Sequence, residues 1–321
     1  MLALARMIAL VAAVLAMATA GPTPVSAQTA KLKVASTSKE IVDNLPFYVG
    51  IEAGLFKKQD LDLELTHFAG GGEVVRAVAS NATDIGMVAT TAGVIAIGRG
   101  EPLKLFSGWT APAYGILWIV PADSPIKTIK DLAGQKAGFT RPGSVSHTGF
   151  NAALQANGLQ GKVDLIPVGS PGDSWAALKA GRVQASWHTA PDVYSILDRG
   201  EARILFQISD YLKEYQQGSL IATEDYLRKN GETARKFLRA IAAANDLIAA
   251  NPADAAKMGA KHMGAPEVAV RKTLDGRPLP FYRIGAPEQA NLNGSIAEAM
   301  ETGALKERPS YDKLVDKSYL P

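Results

Sequence analysis

Phe68-Ala69-Gly70-Gly71-Gly72-Glu73-Val74-Val75-Arg76-Ala77-Val78-Ala79-Ser80-Asn81-Ala82-Thr83-Asp84-Ile85-Gly86-Met87 is one half of a repeat. The other half is Val168-Gly169-Ser170-Pro171-Gly172-Asp173-Ser174-Trp175-Ala176-Ala177-Leu178-Lys179-Ala180-Gly181-Arg182-Val183-Gln184-Ala185-Ser186-Trp187. Both copies read as a strand, a glycine loop, an acidic first helical turn, a short helix, a small-residue stop and another strand. Glu73 and Asp173 follow the glycines, where the free amides and dipole of a helix N-terminus favour negative charge. Two similar α/β units predict two similar lobes with a cleft between them.

The residues before each copy extend the match. Lys31 to Thr37 reads as a strand, Pro46 to Gly54 as a helix, and Asp60 to Thr66 as a strand in which Leu61, Leu63 and Leu65 alternate with Asp62 and Glu64. In the second unit Gln135 to Phe139 is strand-like, a helix runs from Ser146 to Asn157, and Val163 to Val168 is the next strand. Each unit is thus β-α-β-α-β, which implies an α/β fold with mostly parallel sheets flanked by helices. Ligands of open α/β sheets collect beyond the carboxyl ends of the strands. That rule singles out the loops Thr37 to Asn44, Ala69 to Gly72, Ala89 to Thr91, Thr140 to Ser146, Gly169 to Gly172 and Trp187 to Pro191.

After Trp187 the pattern becomes helical and alanine-rich. A helix from Ala190 to Arg199 and a strand from Arg203 to Ile208 precede a short strand, Ser219 to Ala222. Thr223 caps a helix that ends at Leu227, and Thr233 to Ala250 forms a long one. Pro252, Pro266 and Pro287 open further helices. This tail has no unit of its own and is expected to wrap the first lobe. The chain would then cross between lobes after Ile116 to Val120 and return near Tyr211 to Leu220. Residues 28–122 and 214–321 are expected to form one lobe and 123–213 the other, joined by a two-strand hinge.

The chain has 321 residues, 47% hydrophobic and 20% charged, enough for two lobes with real cores. Arg6, an apolar run from Met7 to Ala20, and Val25-Ser26-Ala27 read as an export signal cut after Ala27, making residues 1–27 a signal peptide. The apolar run is shorter than the roughly 20 residues of a spanning helix. There is no cysteine, which excludes disulfides, thiolate metal sites, a thiol nucleophile and a lipid-modified cysteine anchor. Net charge is +3 at pH 7 with the charges dispersed, so no nucleic-acid-binding block is present. His67, His147, His188 and His262 show no metal-ligand spacing.

Leu45-Pro46-Phe47-Tyr48-Val49-Gly50-Ile51-Glu52-Ala53-Gly54-Leu55-Phe56 and the following Lys57 to Leu65 resemble the opening of bacterial solute-binding proteins. The resemblance is to the subfamily that serves ABC importers of alkanesulfonates, taurine, nitrate and thiamine-pyrimidine precursors. Asp123-Ser124-Pro125-Ile126-Lys127-Thr128-Ile129-Lys130-Asp131-Leu132 and Ala180-Gly181-Arg182-Val183-Gln184-Ala185 resemble two of its internal segments, with Gln184 where an aspartate is usual. The resemblance covers essentially the whole mature chain. It implies a two-lobed, type II periplasmic binding fold, no catalysis, no cofactor, and delivery of ligand to a membrane permease by a soluble periplasmic monomer. Two alternatives stay open. One is an enzyme on the same fold, of the pyrimidine or menaquinone biosynthesis type; the other is a subunit that presents ligand to a sensor.

Among candidate ligand contacts the loop Arg141, Gly143, Ser144 and Ser146 ranks first, since a helix start offers amides and hydroxyls to an anion and Arg141 adds a charged fork. Gly71 and Gly72 would face it from the other lobe. Thr37, Ser38 and Asn44 lie on the first strand-to-helix loop, where Asn44 either touches ligand or closes a turn. Thr90 and Thr91 either bind or cap a helix. Trp109, Tyr114, Trp187 and His188 are aromatics near strand ends, suited to cover an apolar ligand body or to fill a core. The expected ligand is a small organic anion, a sulfonate or carboxylate.

Overall fold

The computed structural model describes residues 29–68, 70–142, 144–275 and 282–321. The expected signal segment 1–27 and Gly143 lie outside these residues. The first repeat folds as β1 (Ala30–Thr37), α1 (Leu45–Glu52), β2 (Leu61–Phe68), α2 (Gly71–Ala79) and β3 (Ile85–Ala89), followed by α3 (Thr90–Gly98) and β4 (Leu103–Thr110). After β5 (Ile116–Pro121) the second repeat follows as β6 (Lys136–Phe139), α4 (Val145–Ala156), β7 (Asp164–Pro167), α5 (Pro171–Lys179) and β8 (Ala185–Thr189). It continues into α6 (Asp192–Asp198) and β9 (Ala202–Gln207). The remainder is β10 (Gly218–Thr223), α7 (Glu224–Ala250), α8 (Pro252–Met263), α9 (Glu267–Asp275), α10 (Gln289–Glu301) and α11 (Tyr311–Leu314).

Two five-stranded sheets result, ordered β2-β1-β3-β10-β4 and β7-β6-β8-β5-β9. In each, three strands of the repeat are parallel and a fourth runs against them: β10 between β3 and β4, β5 between β8 and β9. The antiparallel strand is in both cases the one that arrives from the other sheet. It enters from the end where the parallel strands finish, so it must run the opposite way. This corrects the expected first crossing. Ile116 to Val120 pairs with β8 and β9 and belongs to the second sheet, so the chain crosses through residues 111–115 rather than after residue 122. An apolar strand reads alike in either sheet, and only its partners assign it.

Local sequence sets the element boundaries. Ser170 caps α5 in a capping box with Asp173, and Pro171 takes the first helical turn, where no amide partner is needed. Gly86 lets α2 lie close on β3, because a Cβ there would come within 2.8 Å of Val74 and Val78. The helices expected around Thr223–Leu227 and Thr233–Ala250 both form; they meet at a kink at Asn230, the one residue of α7 with non-helical φ/ψ. Buried residues cover both faces of each sheet. The first sheet carries one layer around Phe47, Trp109 and Phe237 and another around Val94, Leu105 and Ile296; the second carries layers around Trp118, Phe150 and Phe206 and around Ile119, Leu178 and Val193. The helices after β10 supply Phe237, Ile241, Val270 and Ile296 to the layers of the first sheet.

Candidate functional site

The strands of both repeats end at one cleft, crossed by residues 111–115 and 211–217. A pocket of about 90 Å³ lies there, lined by Ile41, Val42 and Asp43 after β1, Tyr114, Gly115 and Ile116 at the first crossing, Thr189 and Ala190 after β8, and Gln217 at the second. Its walls are knitted together by polar contacts. Gln217 Nε2 donates to Asp43 Oδ2 at 3.0 Å, the Thr90 amide to the Gln217 carbonyl at 2.9 Å, and the Ala190 amide to the Gly115 carbonyl at 2.9 Å. The pocket therefore takes walls from both sheets and from both crossings.

The lobes also touch at the rim. Lys272 on α9, whose Val270 and Leu274 pack in the first lobe, forms an ion pair with Asp198 on α6 of the second. Asp192 at the start of α6 is pushed above the usual carboxylate range by burial; His188 opposes that shift and Glu40, on the first-lobe loop, adds to it.

The candidate residues divide into those at the cleft and those spent on holding the fold. Asn44 is 0% exposed; it accepts from Ser36 Oγ and donates to the carbonyls of Thr37 and Ser38 at 3.3 and 2.8 Å. It closes the loop after β1, and Thr37 and Ser38, half-buried, take part through their backbones. Trp109 is 0% exposed, stacks on Phe47 at 4.6 Å between centroids, and donates its indole N–H to the Asp43 carbonyl. It is a core residue that buttresses the pocket loop. The Thr90 hydroxyl pairs with Ser219 at 2.8 Å, and the Thr91 hydroxyl donates to Glu298 at 2.8 Å and meets Tyr215 at 3.2 Å. Both threonines are buried, so they fasten α3 rather than offer free hydroxyls. Gly71 and Gly72 start α2, Gly71 close to Ala92 and Gly72 exposed.

In the second repeat Ser144 is the N-cap of α4, and Ser146 is 3% exposed. The Ser146 hydroxyl donates to Thr140 Oγ1 at 2.8 Å and accepts from the Thr140 amide at 3.0 Å, so it is consumed in the turn. Arg141 is exposed beside that turn. His188 is 4% exposed; its Nδ1 accepts from the Thr189 amide at 3.0 Å, and burial lowers its pKa below the ordinary histidine value. Trp187 is 7% exposed and packs with Trp118 and Phe150, yet its indole N–H has no hydrogen-bond partner. Buried donors are nearly always satisfied, and an orphan marks a functional position often enough to need explaining.

Asp43, Thr189 and Gln217 were not singled out by residue. Asp43 and Thr189 fall within loops the strand-end rule picks out, but Gln217 carries no local signal, since its place depends on where the return crossing lies. Among the described residues no cluster of three or more His, Cys, Asp or Glu could hold a metal ion, and no helix is long and apolar enough to cross a membrane.

Similarity to known proteins agrees with this architecture. A family profile described as NMT1/THI5 like matches residues 42–255. A protein of Escherichia coli strain K12 named for binding aliphatic sulfonates is 30% identical over 234 residues, 72% of each chain. The 4-amino-5-hydroxymethyl-2-methylpyrimidine phosphate synthase THI11 of Saccharomyces cerevisiae is 24% identical over 244 residues, 67% of this chain and 66% of that one. The crystal structure of the periplasmic aliphatic sulphonate binding protein SsuA from Escherichia coli superposes with a TM-score of 0.78 at 22% identity, covering 89% of this chain and 92% of that one. The repeated β-α-β-α-β units, the paired crossings and these matches lead to one assignment: the chain belongs to the NMT1/THI5-like family and is built on the two-lobed fold of periplasmic binding proteins.

Proposed function

We propose that this protein is the exported solute receptor of an ABC import system, which captures a small organic anion between its lobes and hands it to a membrane permease. The observation that carries the ligand class is Trp187, a buried N–H donor with no acceptor at the end of a cleft strand. An unmade hydrogen bond of a buried donor costs about 1–3 kcal/mol, and a sulfonate or carboxylate oxygen would recover it. Glu40, Asp43 and Asp192 repel an anion from the first-lobe loop and α6, so the head group belongs on the other side, near Trp187, Arg141 and the start of α4. The apolar body would then lie toward Tyr114, Ile41 and Ile116. Relatives named for sulfonate binding support this ligand class. Residues 1–27 would direct export and be removed, leaving a periplasmic protein.

The test is a thermal-shift screen of short alkanesulfonates, carboxylates, nitrate and aminopyrimidines, followed by calorimetry. A correct ligand at a hundred times its Kd adds about 2.7 kcal/mol. If only aminopyrimidines stabilise the protein, the anion assignment fails. Similarity to the yeast synthase makes a turnover assay with the stabilising compound the necessary companion, and any product formed would replace the receptor reading by an enzymatic one.

A further inference from the structure

Glu298 on α10 is a carboxylic acid only 3% exposed, and the pocket does not use it. Its Oε2 accepts from Thr91 on α3 at 2.8 Å and from Tyr215 on the return crossing at 2.9 Å. Thr148 on α4, in the second lobe, has its hydroxyl near enough to the carboxyl to act on its protonation. The carboxyl thus joins the first lobe, the crossing and the second lobe at one point. The crossing is fixed against α10 in two more ways. The Gln216 amide donates to the Asn291 carbonyl at 3.0 Å, and Tyr215 lies so close to Gly294 that a Cβ there would meet its ring at 2.9 Å. Tyr215 itself packs in the core of the second lobe.

We propose that Glu298 is a proton-operated latch between the lobes: closure brings Thr148 onto it and shuts it from water, and the carboxyl takes up a proton as the lobes close. Burying a carboxylate without a cation beside it is expensive, and protonation removes that cost. A protonated Glu298 keeps a hydrogen bond to each neighbouring hydroxyl, because those hydroxyls can donate or accept. The titratable groups around it are few. The crossing presents Tyr215, α4 presents His147, which faces Glu301, and α10 itself carries Glu301; α3 presents none. Burial pushes the Glu298 carboxyl above its ordinary range and the Glu301 charge adds to this, against the opposing pull of the Thr91, Tyr215 and Thr148 hydroxyls.

A group whose pKa is higher in the closed form favours closure fully below its open-form pKa, and that contribution is lost as pH rises through the closed-form value. One coupled proton changes the closed-to-open ratio by at most about tenfold per pH unit. The test needs no ligand and is therefore independent of the ligand assignment. Small-angle scattering of the purified protein from pH 8 to pH 5 should show the radius of gyration falling. Glu298→Gln keeps the hydrogen bonds but cannot titrate, and should lose this response apart from any share due to Asp192, measured separately with Asp192→Asn. Thr148→Val, a half-buried position on α4, removes the hydroxyl that the second lobe presents to Glu298 and should weaken the response while folding normally by circular dichroism. Equal pH responses in wild type and Glu298→Gln overturn the proposal, as does a wild-type radius that does not change. Should Glu298→Gln fail to fold, an undiminished response in Thr148→Val overturns it alone.

Discussion

Trp118 and Trp187 stand opposite each other on β5 and β8, and the same substitution should affect them in opposite ways. Trp118 is 0% exposed, stacks on Phe206 at 5.1 Å, and donates its indole N–H to the Gly138 carbonyl at 2.9 Å. Trp118→Phe removes that donor and its hydrogen bond to a strand carbonyl, at about 0.5–1.5 kcal/mol. The smaller ring adds a cavity cost of about 1–2 kcal/mol, for a total loss of about 1.5–3.5 kcal/mol. Trp187→Phe creates a similar cavity but deletes a donor that has no partner, recovering about 1–3 kcal/mol of desolvation. The two terms offset, and stability should stay within about 1 kcal/mol of wild type. Ligand binding should reverse the order. Losing a charge-assisted hydrogen bond of about 1.5–3 kcal/mol weakens Trp187→Phe for its anion by roughly tenfold or more, whereas folded Trp118→Phe should bind nearly as wild type. Urea denaturation of the free proteins and calorimetry with the anion selected by the thermal screen measure both quantities. If Trp187→Phe is destabilised as much as Trp118→Phe and binds normally, its indole is a core group and the reasoning is refuted.

Three further outcomes are expected. Arg141→Ala should lower anion affinity by about tenfold with little change in stability, because the residue is exposed; unchanged calorimetric affinity would place its guanidinium in solvent. Lys272→Ala removes the ion pair with Asp198 across the rim. As both side chains are about 40% exposed, the pair is worth about 0–1 kcal/mol, so closed populations from scattering should fall by at most about fivefold and the difference should vanish in high salt. His188 is held neutral by burial, with its pKa lowered. Its contribution to stability is complete above its unfolded pKa of about 6.5 and is lost as pH falls through the folded value. His188→Gln should therefore lose less stability than wild type between pH 7 and pH 5 in parallel melts.

The repeat was legible because period-two strands, glycine loops and capped helices are local features. Lys31 to Thr37, Asp60 to Thr66 and Ser146 to Asn157 form the elements their own patterns dictate, within a residue or two. The first crossing was not, since Ile116 to Val120 is an apolar strand wherever it pairs. The site was legible as a set of loops but not as a set of side chains. Asn44, Thr90, Thr91 and Ser146 all sit in the right loops, and each hydroxyl or amide is consumed by a neighbour that no spacing rule names.

What the sequence alone determined is the α/β class, the duplication and the place of the cleft, because these follow from periodicity and from the rule that ligands meet strand ends. Tertiary structure decided which sheet owns β5 and which tryptophan is a satisfied core residue and which an orphan donor. It also brought Glu298, 83 residues beyond Tyr215 and 207 beyond Thr91, to the junction of the lobes. Those outcomes depend on contacts between residues far apart in the chain, where partner, burial and hydrogen bond are fixed only once both sheets are assembled.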